Sequence, residues 1–160
     1  DTQTMTFETF ILTDNIQEIF LAAGRVDYIV DAIDTVTAKL ALAQYAGEAG
    51  IPLISSMGTG NKLHPELFRI ADISETSVCP LCRVMRKELK SRGIQRLKVL
   101  FSTEKPVEPE PELEEQLIRE EISENSSRRS VPGSIAFVPP AAGLLIAGEV
   151  VRELASTRGK

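Results

Sequence analysis

Asp34 ends the apolar run VDYIVDAIDT (26–35) and stands immediately before a helical pattern. In open α/β sheets ligands bind outside the carboxyl ends of the strands. A carboxylate there can hold a hydrated Mg²⁺ that in turn holds phosphates. An aspartate before a helix is more commonly its N-cap, and the residues alone leave both roles open. Asp31 lies three residues earlier and faces the opposite way, because strand side chains alternate. It is expected to accept bonds from a neighbouring loop. Lys39 falls in the second turn of the following helix, within reach of a phosphate or an adenylate. A lone helical lysine more often lies along apolar surface with its head in water.

Two further stretches could do chemistry. MGTG (57–60) follows a second apolar run. Gly58, Thr59 and Gly60 could line a substrate site by letting a ligand approach the backbone closely, or form a simple turn. The phosphate loops GxGxxG and GxxxxGK[ST] are both absent from the 160 residues. The chain's two cysteines, Cys79 and Cys82, lie in CPLC. A structural zinc takes four ligands, usually from two such pairs, so no zinc site is expected. Cys79 at a helix start could be reactive, but no histidine stands near it in sequence. Packing and capping are its expected roles, and His64 is given none.

The helix opened by CPLC carries a charge signal. Leu81, Val84, Met85 and Leu89 form one arc; Arg83, Arg86, Lys87 and Lys90 form the other. Arg92, Arg96 and Lys98 extend the basic run, with Glu88 the single acid from 83 to 98. A solvated face is the ordinary explanation, but the one-sided charge fits contact with a phosphate backbone. No aromatic residues interleave, so base stacking is not expected there.

The elements that must position these residues follow from periodicity. FETFIL (7–12) reads as a strand, 15–23 as a helix capped by Thr13 or Asp14 and stopped at Gly24. VDYIVDAI (26–33) and IPLISS (51–56) read as strands buried on both faces. A helix over 35–50, capped by Asp34 or Thr35 and ended by Gly50, joins them. Parallel β-α-β-α-β order with right-handed crossovers results. LFRIADI (67–73) and LKVLFS (97–102) then flank a helix over about 79–92, a mixed or antiparallel extension. SIAFVPPAAGLLIAGEVVREL closes the chain as a strand and then a helix opened by Pro139 and Pro140.

Residues 104–130 differ in composition. Residues 104–124 hold nine glutamates against Lys105 and Arg119. The overall charge of −5 therefore hides a slightly basic remainder. This stretch is expected to be a disordered insert between a Rossmann-like part (1–103) and a returning strand and helix (131–160) of the same domain. A length of 160 residues with 42% hydrophobic content suits one domain with a real core. No apolar stretch is long enough for a membrane span, and no secretory signal pattern occurs. With two cysteines, a reducing cytoplasm is the expected setting. The chain opens on Asp rather than Met and is expected to begin partway into a longer protein.

The runs YIVDAIDTVTAKLAL, IPLISSMGTGNKLHPELFRIADISET, RVMRKELKSRGI, VLFSTEKPV and GSIAFVPPAAGLLIAGEVVREL resemble the later part of the ThiF/MoeB/HesA, or ubiquitin-activating-enzyme-like, superfamily. The resemblance is strongest to its tRNA threonylcarbamoyladenosine dehydratase branch and covers nearly everything except the acidic stretch. It implies a Rossmann-like fold and ATP-Mg²⁺-dependent activation of a carboxylate. The group activated would be the threonylcarbamoyl carboxylate on a tRNA adenosine, which then cyclises with loss of water.

The same resemblance implies that Asp34 faces the ATP phosphates and magnesium, and that Lys39 lies near the nucleotide. tRNA is then the expected partner of Arg83, Arg86, Lys87 and Lys90. In such enzymes the glycine-rich nucleotide loop precedes the stretch matching FETFIL, and these 160 residues lack it. The 160-residue chain is therefore expected to bind ATP poorly and not to turn over alone. An uncovered sheet flank would also favour a homodimer. A second enzyme reading is an adenylyltransferase acting on a ubiquitin-like sulfur-carrier protein, with a sulfur-relay protein as partner. A third is a non-catalytic dimerisation or binding module.

Overall fold

The computed structural model describes residues 2–107 and 133–157. Its elements run α1 (Ile16–Ala23), β1 (Ile29–Asp31), α2 (Val36–Ala49), β2 (Leu53–Ser56), β3 (Phe68–Asp72), α3 (Pro80–Ser91), β4 (Lys98–Ser102) and α4 (Val138–Thr157). Short 3₁₀ turns at Pro65–Leu67 and Ile73–Glu75 bracket β3. The four strands form one mixed sheet in the order β1-β2-β4-β3. β1 pairs parallel to β2, and β2 parallel to β4; β3 returns antiparallel on the outer side of β4. The α/β class, the parallel start and the antiparallel extension are as the sequence pattern predicts.

Helices cover both faces of the sheet. On one face Leu40 and Ala43 of α2 and Cys82, Met85 and Leu89 of α3 pack on Val99 and Phe101. On the other, Val138, Ala142 and Ile146 of α4 pack on Ile54, Leu100 and Phe68. Alternate residues of β4 thus feed opposite cores, which is why LKVLFS reads as continuously apolar. Each large side chain so buried is worth about 1.5–3 kcal/mol. A third cluster joins Ile16 of α1 to Ile29 of β1 and Leu42 and Ala46 of α2. Gly50 ends α2 in the left-handed conformation, its N–H bonded to the Ala46 carbonyl.

Two predicted strands are not formed. Residues 7–12 are irregular, with Phe10 82% exposed. A strand needs a ladder partner, and β1 has β2 alone as its neighbour among the described residues. Residues 134–137 are likewise irregular, and α4 begins at Val138, one residue before the proline pair. Prolines in a first helical turn forfeit no helical hydrogen bond, so the helix starts where the apolar anchor Val138 seats. Asn15, rather than Thr13 or Asp14, is the N-cap residue of α1; Thr35, one of the two candidates, is that of α2, without a side-chain capping bond. On α3 Cys82 replaces Val84 on the buried arc, leaving Val84 exposed. Most of the acidic stretch, residues 108–130, lies outside the described residues.

α4 is pinned at the sheet by a polar network. Lys98 Nζ donates to Glu149 Oε1 at 3.0 Å and to Glu153 Oε1, and the Tyr28 hydroxyl donates to Glu153 Oε2 at 2.6 Å. Burial and then the Glu153 bond push the Tyr28 phenol above its ordinary range. Glu149, bonded to Arg152 and Lys98, and Glu153, bonded to Lys98 and Tyr28, are held below theirs.

Candidate functional site

The parallel strands β1 and β2 end side by side, and the loops leaving their carboxyl ends enclose an open pocket of about 110 Å³. Asp34, Lys39, Ser56, Gly58, Thr59 and Leu81 are among its lining residues. Four residues singled out by sequence, Asp34, Lys39, Gly58 and Thr59, are thereby brought together. Gly60 is not part of the lining.

Asp34 is exposed, and among the described residues no hydrogen bond or ion pair engages its carboxylate. The helix-capping role open in the sequence is not taken up: α2 has no side-chain cap. Both carboxylate oxygens are therefore available to water or a cation. The adjacent N-terminus of α2 leaves its first N–H groups without helical partners, which favours a bound anion nearby.

Lys39 is placed differently from a free phosphate ligand. Its side chain is 1% exposed, and its ammonium donates to Asp31 Oδ2 at 3.1 Å, Ser55 Oγ at 3.4 Å and the Ser56 carbonyl at 2.7 Å. An ammonium has three donors, and all three are spent. Asp31 is wholly buried and also accepts from the Ser55 hydroxyl at 2.5 Å and from the Ile33 N–H at 3.0 Å. This pair ties β1, α2 and β2 together directly beneath the pocket and fixes the loop that carries Asp34. The resemblance implies that Lys39 lies near a nucleotide, and the residues alone do not show its pairing with Asp31. The available signal was its setting: AKLALA surrounds Lys39 with core-forming residues, where a cation needs a buried partner.

Gly58 has no left-handed φ, and a Cβ built on it meets nothing within 4 Å. The fold does not require glycine there, so the space beside it is open to a ligand. The loop beyond is held by Glu104, whose carboxylate accepts from the Leu63 and His64 N–H groups. His64 itself is exposed and pairs with Glu66.

The basic face is smaller than the sequence suggests. Arg83, Lys87 and Lys90 are exposed along α3 and enter no ion pair among the described residues. Arg86 is half-buried, and its guanidinium donates to the Thr76 carbonyl at 3.0 Å and to the Thr76 hydroxyl. It staples α3 to the preceding turn. Arg92 pairs with Glu88, and Lys98 with Glu149 and Glu153. No cluster of three or more histidine, cysteine or acidic groups suited to a metal occurs among the described residues.

The ThiF family model matches residues 1–159. The chain belongs to the ThiF family. It is 38% identical over 143 residues to the tRNA threonylcarbamoyladenosine dehydratase of Bacillus subtilis, covering 89% of this chain and 56% of that protein. The chain thus spans about half the length of that relative. The fold matches the AMP complex of the Escherichia coli tRNA N6-threonylcarbamoyladenosine dehydratase, with TM-score 0.76 and 24% identity over 96% of this chain and 57% of that one. An ATP complex of the same enzyme matches with TM-score 0.58 and 31% identity, over 64% of this chain and 45% of that one.

Proposed function

We propose that these residues supply the magnesium- and tRNA-facing part of an ATP-dependent tRNA threonylcarbamoyladenosine dehydratase. The observation that carries the reading is the unengaged Asp34 carboxylate in a pocket at the carboxyl ends of two parallel strands. The 38% identity to a dehydratase favours this over activation of a sulfur-carrier protein. Asp34 would hold Mg²⁺ through water or the phosphates, and the ion would offset charge developing as pyrophosphate leaves. In the first step a substrate carboxylate oxygen bonds to the α-phosphorus of ATP. In the second, a nucleophile of the same threonylcarbamoyl group attacks the acyl carbon and AMP departs. Gly58 and Thr59 would border the substrate, while Lys39 acts on the site by positioning the Asp34 loop. Arg83, Lys87 and Lys90 would meet tRNA phosphates.

The chain lacks a phosphate-binding glycine loop among its 160 residues, so alone it is expected to bind ATP weakly and not to turn over. Self-association belongs to the same proposal: the outer side of β1 offers a strand edge, and Leu144 and Val151 of α4 are exposed. The reading is tested with a chimera in which this chain replaces the matching part of the Bacillus subtilis relative. ATP-dependent loss of water from threonylcarbamoyladenosine in tRNA, read by nucleoside mass spectrometry, is expected. Robust ATP-dependent dehydration by the 160-residue chain alone would contradict the proposed division of the site.

A further inference from the structure

The cysteine pair has no part in the reaction proposed above, yet it flanks a residue of the same pocket. Cys79 is the residue before the first turn of α3, and Cys82 lies within that turn. Positions three apart on a helix bring Cα atoms to about 5 Å, inside the range a disulfide spans. Both cysteines are free and buried. Lys62, whose ammonium donates to the Glu104 carbonyl, adds positive charge in the surroundings of Cys79. Leu81, between the two, lines the pocket with Asp34 and Thr59.

The backbone leading in is strained. Val78 has φ +63°, a left-handed conformation that a β-branched residue rarely adopts. The Cys79 N–H closes a tight turn across it onto the Ser77 carbonyl at 2.6 Å. Such strain persists where the surroundings enforce it and often marks a functional or mobile point. Val78 is itself 47% exposed, so the strained turn next to Cys79 reaches solvent.

We propose that Cys79 and Cys82 form a reversible dithiol–disulfide pair whose closure displaces Leu81 in the Asp34 pocket. The Cys82 bond, then the N–H groups of the first turn of α3, lower the Cys79 thiol to about 6, whereas that same bond and burial raise Cys82. Cys79 is therefore the attacking thiolate. With glutathione disulfide as oxidant, Cys79 displaces one glutathione thiolate and forms a mixed disulfide. Cys82 gives its proton to the released thiolate and attacks the Cys79 sulfur, and the second glutathione leaves. Two protein thiols lose two electrons and two protons, and one disulfide becomes two thiols.

The test uses the full chain and needs no dehydratase activity, so its outcome is separate from the function proposed above. The chain is equilibrated with glutathione disulfide, denatured and alkylated, and its intact mass is measured. Loss of two hydrogens with loss of both alkylation sites, reversed by dithiothreitol, is expected. Cys82→Ser should trap glutathione on Cys79, whereas Cys79→Ser should leave Cys82 unmodified. Amide hydrogen exchange at 57–59 and 81 should shift between the reduced and oxidised wild-type forms, with β4 unchanged. Two thiols that stay alkylatable would overturn the proposal. So would stoichiometric zinc bound across them, or a disulfide that forms without any shift around the pocket.

Discussion

Replacing Asp31 by alanine should be among the most damaging single changes in the chain. The carboxylate is wholly buried and is the charged partner of Lys39, whose side chain is 1% exposed. Its loss leaves an ammonium in the core with only the Ser55 hydroxyl and the Ser56 carbonyl as acceptors. Breaking a buried pair from one side costs about 3–5 kcal/mol, because the remaining charge is uncompensated. With a urea slope of about 2 kcal/mol per molar, the midpoint should fall by about 1.5–2.5 M. Lys39→Met should cost less, since Asp31 keeps the Ser55 hydroxyl and the Ile33 N–H. The Asp31→Leu/Lys39→Met double variant should recover most of the loss, as apolar replacements of buried pairs often do. Urea unfolding followed by circular dichroism measures all three, and the cycle gives the coupling. A cost under about 1 kcal/mol for Asp31→Ala would refute the reasoning.

Three other outcomes follow from the same geometry. Lys87→Glu/Lys90→Glu should weaken tRNA binding and flatten its dependence on salt; Arg86→Glu should instead lower stability, because Arg86 holds Thr76. Equal binding by wild type and the double lysine variant in filter assays would remove the tRNA surface from α3. Gly58→Val should leave the melting temperature nearly unchanged, since a Cβ there meets nothing, but should impair the chimera's dehydration. Loss of folding instead would show that Gly58 serves the backbone. The pH dependence of stability should follow the α4 network. Glu149 and Glu153 are held low when folded. Their contribution is present above the unfolded value of about 4.3 and lost as pH falls through the lower folded values. Lys98 is raised: burial opposes its charge, but the Glu153 and Glu149 carboxylates outweigh it. Its share is present below about 10.4 and lost as pH rises through the folded value. These groups are partly exposed, so the effect is modest. Glu153→Gln should reduce the fall in melting temperature below pH 5, and an unchanged slope would discount the network.

Strand and helix identities were legible where periodicity and turn residues agreed, as in α2, bounded by Thr35 and Gly50, and in the two-sided strands β2 and β4. What failed needed a partner the local pattern cannot specify. FETFIL has strand composition, but composition does not supply a neighbour for its ladder. The chemistry divided in the same way. Asp34 could be located because a strand end and a helix start are both written locally. Its release from capping could not, since Thr35 takes the N-cap position and leaves the carboxylate free. Lys39 and Asp31 looked like a site lysine and a loop acceptor, because their contact runs between a strand and the helix after it. The charge count over 83–98 overstated the free surface for a related reason: Arg86 on α3 is held by Thr76 of the preceding turn, and Lys98 on β4 by Glu149 and Glu153.

The most direct test of the central claim compares the chimera with its Asp34→Asn variant at saturating Mg²⁺ and ATP. The amide keeps the shape of the side chain and removes its charge, and no hydrogen bond or ion pair among the described residues depends on it. Folding and tRNA binding should be unchanged, and the rate of dehydration should fall on the order of a hundredfold or more. A variant that dehydrates at the rate of the unsubstituted chimera would show that Asp34 does not serve the magnesium and phosphates.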